Sequence, residues 1–157
     1  MTLVSDPAAN GVIRNEPADI YHARRDEYLT SHQLADFRKC PLAVFVDLSQ
    51  SPPTYDFTSV LETGSVIYDV EVVIGSQTGD TLFGGEADDD LRGFSGNDYL
   101  FGHQPGFEGT TRLYGGVGDD YLFGATLYVG GPGLDACDAS PIIPAERHGC
   151  EVIWTYD

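Results

Sequence analysis

Large apolar residues recur at regular intervals through the second half of the chain. Leucine stands nine residues apart at Leu82, Leu91 and Leu100, and the same spacing relates Leu113 to Leu122. Each leucine has strand-forming or polar neighbours in short segments such as TLF and YLF. In an extended segment the central side chain points to one face and its neighbours to the other. The pattern therefore predicts a series of short strands whose leucines share one interior.

The residues between these strands follow the same period. Written in nines from Gly75, the chain reads GSQTGDTLF, GGEADDDLR and GFSGNDYLF; after GHQP (102–105) come GFEGTTRLY and GGVGDDYLF, and a shortened GATLYV precedes GGPGLDACD. Every unit begins with glycine, which indicates turns that need positive φ angles and close backbone approach. The sixth position is held by Asp80, Asp89, Asp98, Asp120 and Asp135, with a threonine, Thr111, as the exception. A period that fixes these columns predicts stacked units with a shared core.

Acidic residues are concentrated in this repeated part of the chain. The net charge is −17, and residues 62–138 hold fourteen acidic residues against Arg92 and Arg112 alone. A field of this sign repels nucleic acid and anionic membranes and attracts cations. Asp88 and Asp90, beside a sixth-position aspartate, are expected to form a solvated rim. No apolar run reaches the length of a membrane-spanning helix, so no transmembrane segment is expected.

The units resemble the RTX nonapeptide, G-G-x-G-x-D-x-U-x, in which U is a large apolar residue. The resemblance extends over residues 75–138 and implies an all-β fold: a right-handed parallel β-roll in which two nonapeptides form one coil. It also implies that Ca²⁺ ions bind between the turns of units two apart. Calcium prefers carboxylate and carbonyl oxygens, and its binding would offset the repulsion between stacked carboxylates. The implied metal ligands are Asp80, Asp89, Asp98, Asp120 and Asp135.

The register of the units ranks these expected sites. Asp80 and Asp98 belong to one edge with uninterrupted turns, which predicts the best site, and Asp120 continues that edge. The shortened unit before Asp135 leaves its register open. On the opposite edge, Asp89 faces the threonine, and the loss of one carboxylate predicts weak binding.

The two ends of the chain differ from the repeats. Thr30 or Ser31 can cap a helix that places Leu34 and Phe37 on one face, which predicts a short helix near 31–39. The expected organisation is a partly disordered N-terminal segment with this helix (1–43), strands that cap the roll (44–74), the repeats (75–138) and a C-terminal cap (139–157). The alternative for the tail is a secretion signal of the kind that RTX proteins carry.

The cysteines leave two alternatives open. Cys137 and Cys150 flank a proline-containing loop, and Cys40 is remote from both. The first two form either a disulfide, which suits an oxidising compartment, or two buried thiols. No CxxC pair occurs, which disfavours a thiolate zinc site.

The expected function is calcium binding by a non-enzymatic module that folds on Ca²⁺ binding outside the cell. Its expected partners are calcium ions and components of a cell surface or extracellular matrix. The chain contains no HExxH or GxSxG motif, so no catalytic residues are expected. The alternatives are the C-terminal calcium-binding part of a secreted hydrolase and a part of a surface adhesin.

Overall fold

A computed structural model describes residues 34–50, 70–86, 88–102, 109–138 and 145–154, and the backbone of the short strands outside these ranges. No α-helix occurs in this part of the chain, and hence none that is long and apolar enough to cross a membrane. The strands are β1 (Val4–Ser5), β2 (Ile13–Arg14), β3 (Tyr21–His22), β4 (Leu34–Asp36), β5 (Val44–Asp47), β6 (Thr54–Phe57), β7 (Ser65–Tyr68), β8 (Val72–Ile74), β9 (Thr81–Phe83), β10 (Asp90–Ser95), β11 (Tyr99–Phe101), β12 (Arg112–Val117), β13 (Tyr121–Phe123), β14 (Leu127–Val129), β15 (Ala136–Asp138), β16 (Glu146–His148) and β17 (Val152–Trp154).

The strands form two sheets between which the chain alternates. The first sheet has the order β1-β2-β4-β8-β10-β12-β14-β16, and the second has the order β17-β15-β13-β11-β9-β5-β6-β7-β3. From β8 onward, each strand of one sheet is followed by a strand of the other. All pairings from β8 to β17 are parallel. This arrangement is a parallel β-solenoid, as the nine-residue period predicted.

Four coils make up the repeated part. They consist of β8 with β9, β10 with β11, β12 with β13, and β14 with β15. Here β4 and β5 are called the N-terminal layer, because they pair with β8 and β9 of the first coil. β16 and β17 are called the C-terminal layer, because they pair with β14 and β15 of the fourth coil. The expectation that residues 44–74 and 139–157 cap the roll remains a proposal; residues 103–108, which contain most of the insertion, lie outside the described residues.

The predicted leucine columns form the core. Leu91 pairs with Val73 and Leu113 in the first sheet, and Leu100 pairs with Leu82 and Leu122 in the second. All six of these side chains are fully buried. The match between the column in the sequence and the register in the structure confirms the predicted side-chain alternation.

The fourth coil continues the core with different residues. Tyr128 pairs with Leu113 and is buried, and its hydroxyl oxygen accepts a hydrogen bond from the N–H of Ala125 at 2.8 Å. Cys137 pairs with Leu122 and is also buried. The shortened unit thus keeps its strand and loses turn residues. In the C-terminal layer, Ile153 pairs with Cys137 but is 48% exposed, so the core column ends there.

The predicted helix near 31–39 is wrong for its described residues, 34–39. Leu34–Asp36 is strand β4, which pairs in parallel with β8, and a turn follows at Arg38. Ala35 and Phe37 are buried, two residues apart, so they face the same core by the alternation of a strand rather than by helical spacing. Pairing with the exposed edge of the first coil outweighs the local helical preference of this segment. The Asp36 carboxylate accepts the backbone N–H of Arg38 at 3.1 Å and stabilises the turn.

Candidate metal centre

Four aspartates form a column along one edge of the solenoid, at the turns that lead from the first sheet to the second. We call this column the aspartate ladder; it comprises Asp80, Asp98, Asp120 and Asp135, one from each coil. The N–H of Asp80 donates to Oδ1 of Asp98 at 2.7 Å, that of Asp98 to Oδ1 of Asp120 at 2.8 Å, and that of Asp120 to Oδ1 of Asp135 at 2.9 Å. Asp135 therefore stays in register, which the sequence had left open.

The second oxygen of three ladder carboxylates has no hydrogen-bond partner. Oδ2 of Asp98, Asp120 and Asp135 is buried and unpartnered, and none of these residues has any exposed surface. An unpaired buried polar atom costs about 1–3 kcal/mol, and more if it is charged. The fold therefore brings together three acceptors that no described protein group satisfies.

Backbone carbonyls lie beside these unpartnered oxygens. A Cβ atom built on Gly93 would overlap with Oδ2 of Asp98 and with the carbonyl oxygen of Gly115 in the next coil. A Cβ on Gly115 would meet Oδ2 of Asp120 and the Gly130 carbonyl in the same way. These two glycines thus leave room between a carboxylate oxygen and a carbonyl oxygen of two successive coils.

Asp80, at the start of the ladder, differs from the other three. Its Oδ1 accepts the N–H of Val44 and the hydroxyl of Ser76, each at 2.8 Å, and its Oδ2 accepts the N–H of Ser76. The later turns have a residue with positive φ at the position of Ser76: Phe94 (79°), Gly116 (114°) and Gly131 (117°). The ladder therefore ends on protein hydrogen bonds at its N-terminal side, and the expected Asp80–Asp98 site remains a proposal.

Burial raises the pKa of every ladder carboxyl group above its ordinary value of 3.8. For Asp98 the pKa rises to about 8, for Asp120 to about 7 and for Asp80 to about 6; that of Asp135 is also raised. Desolvation is the main cause, and neighbouring carboxylates add to it at Asp98, Asp120 and Asp135, while the backbone N–H donors oppose it. A cation at this edge would reverse these shifts, because it stabilises the charged form.

The donor set fits a calcium ion. Calcium takes six to eight oxygen ligands and accepts carboxylates and backbone carbonyls alike. In the described part of the chain, no three His, Cys, Asp or Glu side chains converge as a metal cluster would require. Carbonyl oxygens must then supply much of the coordination, and glycine-rich turns present such oxygens. The ions would be held by the Oδ2 atoms of Asp98, Asp120 and Asp135. Their positive charge would balance the negative charge of these buried carboxylates.

The opposite edge carries fewer acids. Asp89 is buried, and burial raises its pKa to about 6, but its Oδ2 accepts the N–H of Gly85 at 2.7 Å. Its neighbour in the next coil is Thr111, also fully buried, and the next position in that column is Thr126. The register thus places Asp89 beside the threonine as expected, and its role as a ligand remains a proposal.

The acids that flank Asp89 have protein partners. Asp90 forms an ion pair with Arg92, with Oδ1 and Nε 2.6 Å apart, and Oδ1 of the exposed Asp88 accepts the N–H of Thr110, also at 2.6 Å. Neither carboxylate lies on the ladder.

Two features at the C-terminal end were not predicted as parts of the site. Glu151 continues the ladder, because its Oε2 accepts the N–H of Asp135 at 2.9 Å. Cys137 and Cys150 form a disulfide, one of the two alternatives that the sequence left open, and Cys40, between β4 and β5, is buried. The repeat pattern does not predict Glu151 as part of the ladder, because Glu151 follows Gly149 by two positions, whereas the ladder aspartates follow their glycines by five.

Comparison with known proteins supports this description of the repeats. The family model of the RTX calcium-binding nonapeptide repeat (4 copies) matches residues 74–104 and 105–126. No match is found among curated proteins. Repeats of this family bind Ca²⁺, and the matched residues contain Asp80, Asp98 and Asp120 of the ladder. Residues 74–126 of this chain are therefore RTX calcium-binding nonapeptide repeats.

Proposed function

We propose that this calcium-binding repeat module completes its folding outside the cell, where Ca²⁺ binding to the aspartate ladder orders the roll for a structural or interaction role. The observation that carries the proposal is the set of three buried, unpartnered carboxylate oxygens at Asp98, Asp120 and Asp135. Each requires either a proton or a cation. RTX repeats typically occur in secreted or extracellular proteins, where calcium reaches millimolar concentration and the cation is available.

Calcium would change the free energy of stacking the coils, to which the ladder and the rest of the roll contribute with opposite signs. The leucine core and the parallel hydrogen bonds favour the stacked coils, but stacking also buries the ladder carboxyl groups. The binding free energy of the ion becomes folding free energy, because the site exists only when the coils are stacked. At low calcium inside a cell the chain is held less tightly, and at high calcium outside it closes.

The test is far-UV circular dichroism of the purified chain during titration with CaCl₂ and, separately, with MgCl₂. We expect a gain of β-sheet signal that saturates at up to millimolar Ca²⁺. Mg²⁺ should give a much smaller gain, because it requires octahedral geometry and gives up its water reluctantly. A full β-sheet signal in excess chelator at neutral pH, unchanged by calcium, would refute calcium-dependent folding.

The exposed face of the second sheet favours an interaction role. Tyr99 and Tyr121 stack with ring centroids 5.0 Å apart and are 46% and 38% exposed. Phe83 and Phe101 stack beside them at 4.7 Å. Such a surface suits contact with components of a cell surface or extracellular matrix, as in an adhesin. Replacement of both tyrosines by serine should leave the calcium-induced β-sheet signal intact and abolish calcium-dependent sedimentation with matrix or cell-envelope preparations; equal sedimentation of both proteins would contradict this role.

A further inference from the structure

The aspartate ladder extends one position beyond the nonapeptides. Val152 of β17 pairs with Ala136 of β15, so Glu151 lies beside Asp135, as Asp135 lies beside Asp120. The N–H of Asp135 donates to Oε2 of Glu151 at 2.9 Å. This bond repeats the contact that joins each earlier pair of aspartates. Glu151 therefore takes the place of a ladder aspartate in the C-terminal layer.

The space between Asp135 and this layer has the same oxygens as the spaces within the repeats. Asp135 is fully buried, and its Oδ2 has no hydrogen-bond partner. A Cβ atom built on Gly130 would overlap with this Oδ2 and with the carbonyl oxygen of Gly149. A carboxylate oxygen and a carbonyl oxygen of successive layers thus flank Gly130 just as they flank Gly93 and Gly115. The unpartnered Oδ2 of Asp135 is an acceptor that a cation would satisfy. This observation does not depend on Glu151 being acidic.

The turn that presents Glu151 is held by a covalent bond. In the repeats, the aspartate follows the first glycine by five positions, but Glu151 follows Gly149 by only two. The glutamate side chain is one methylene longer and reaches the Asp135 N–H from this shorter turn. Cys150, between the two residues, is joined by a disulfide to Cys137, whose side chain lies in the buried core column. The disulfide therefore fixes Gly149 and Glu151 against the fourth coil without the missing turn residues.

We propose that Asp135 Oδ2, the carbonyl oxygen of Gly149 and the carboxylate of Glu151 form a terminal calcium site that the disulfide Cys137–Cys150 holds in shape. This inference rests on the proposed function, that is, on calcium binding by the ladder. It adds a site outside residues 74–126, which match the repeat family. The terminal site closes the last coil, where the leucine column has given way to the half-exposed Ile153.

The test counts bound ions by native mass spectrometry in Glu151→Gln, with Glu146→Gln as the matched control. The glutamine side chain of the first variant keeps an oxygen that accepts the Asp135 N–H but loses the charge; Glu146 lies in the same layer with its side chain 82% exposed. We expect Glu151→Gln to bind one calcium ion fewer than wild type, or the last ion at least tenfold more weakly. Glu146→Gln should match wild type. Circular dichroism in saturating calcium should show the same β-sheet signal for all three proteins.

Each other outcome overturns the inference in a recognisable way. The same number of ions at the same affinity in Glu151→Gln would exclude Glu151 as a ligand and leave the proposed function intact. Loss of β-sheet signal throughout the roll would make Glu151 a folding residue rather than the ligand of one site. Wild-type protein that binds no calcium would reject the proposed function itself.

Reduction of the disulfide tests the role of the covalent bond. Dithiothreitol transfers two electrons and two protons to Cys137 and Cys150, which become thiols while the reagent forms its cyclic disulfide. The reduced wild-type protein should lose the same single ion as Glu151→Gln, and reduction of Glu151→Gln should remove no further ion. A reduced wild-type protein that keeps every ion at unchanged affinity would show that the disulfide does not shape the site.

Discussion

Asp98→Asn should separate the two effects of the ladder, because it removes a buried carboxyl group with a raised pKa and, by the proposed function, a calcium ligand. Burial raises the pKa of Asp98 to about 8. At pH 7, keeping a carboxyl group protonated whose ordinary pKa is 3.8 costs roughly 4 kcal/mol, at about 1.4 kcal/mol per pH unit. Asparagine does not titrate, its Oδ1 still accepts the Asp80 N–H, and its amide can donate towards the Gly115 carbonyl. Asparagine avoids this protonation cost, so we expect the variant to be more stable than wild type in chelator by about 1–4 kcal/mol, the range between the usual cost of an unpaired buried polar atom and the full cost of protonation.

Calcium should stabilise the variant less than it stabilises wild type. The variant presents an N–H donor where wild type presents Oδ2, so one carboxylate ligand is lost. A tenfold loss of affinity lowers the stabilisation by saturating calcium by about 1.4 kcal/mol. The gain in unfolding free energy between chelator and calcium should thus shrink by at least this amount, and more if the ion does not bind at all.

The assay is urea or thermal unfolding, followed by circular dichroism, in EDTA and in about 5 mM CaCl₂, which exceeds the submillimolar to millimolar Kd of extracellular calcium modules. Asp90→Asn is the control, because Asp90 lies off the ladder and pairs with Arg92, whose side chain is 47% exposed; solvent-accessible pairs contribute about 0–1 kcal/mol. It should change stability by less than about 1 kcal/mol, equally in both conditions. If Asp98→Asn is less stable than wild type in EDTA and gains as much from calcium, then Asp98 is only a hydrogen-bond acceptor and the reasoning fails.

Three further predictions follow from the two edges and the turns. Because the pKa values of the ladder carboxyl groups in the folded state lie above 3.8, the metal-free roll should be most stable near pH 4 and lose stability as pH rises to about 8, as measured by thermal unfolding in EDTA. Calcium affinity should rise over about pH 6–8 as these groups ionise. The opposite trends would contradict the burial of the ladder. Thr111→Asp adds a buried carboxylate beside Asp89, so it should add one calcium ion in native mass spectrometry and destabilise the protein in EDTA; no added ion would argue against a site on that edge. Phe94 has a positive φ of 79°, which glycine adopts without strain, and its side chain is 42% exposed. Phe94→Gly should therefore raise the free energy of unfolding in calcium by about 1 kcal/mol. A loss of stability would show that the contacts of the phenyl ring outweigh the backbone strain.

Much of the roll follows from the sequence because its repeat fixes the register. Leucines nine residues apart alternate between the sheets, so Leu82 and Leu100 become neighbours in one sheet while Leu91 lies in the other. The same arithmetic places Asp80 beside Asp98. It holds across the insertion, because extra residues in a turn leave the strand pairing of Tyr99 with Tyr121 unchanged.

The sequence does not reveal contacts that depend on which neighbour a residue meets. Asp80 matches the repeat, but its carboxylate accepts the N–H of Val44, and this contact arises because the N-terminal layer stacks on the first coil. β4 has helix-forming residues and becomes a strand for the same reason. Glu151 breaks the spacing and changes residue type, yet strand pairing brings it to the ladder. In each case tertiary pairing decides what the local pattern cannot.

The unequal edges explain how one ion type can control a fold that also has a core. Acids occupy every coil on the ladder edge, whereas the opposite column changes from Asp89 to Thr111 and Thr126. There the neutral side chains bond to the protein itself: the Thr126 hydroxyl donates to the Thr111 carbonyl at 3.0 Å. The opposite edge beyond Asp89 can therefore close without metal. The buried carboxyl groups that oppose folding lie mainly on one edge. If calcium orders the roll as proposed, it should therefore act chiefly there, and its removal should open the ladder turns before the leucine core separates.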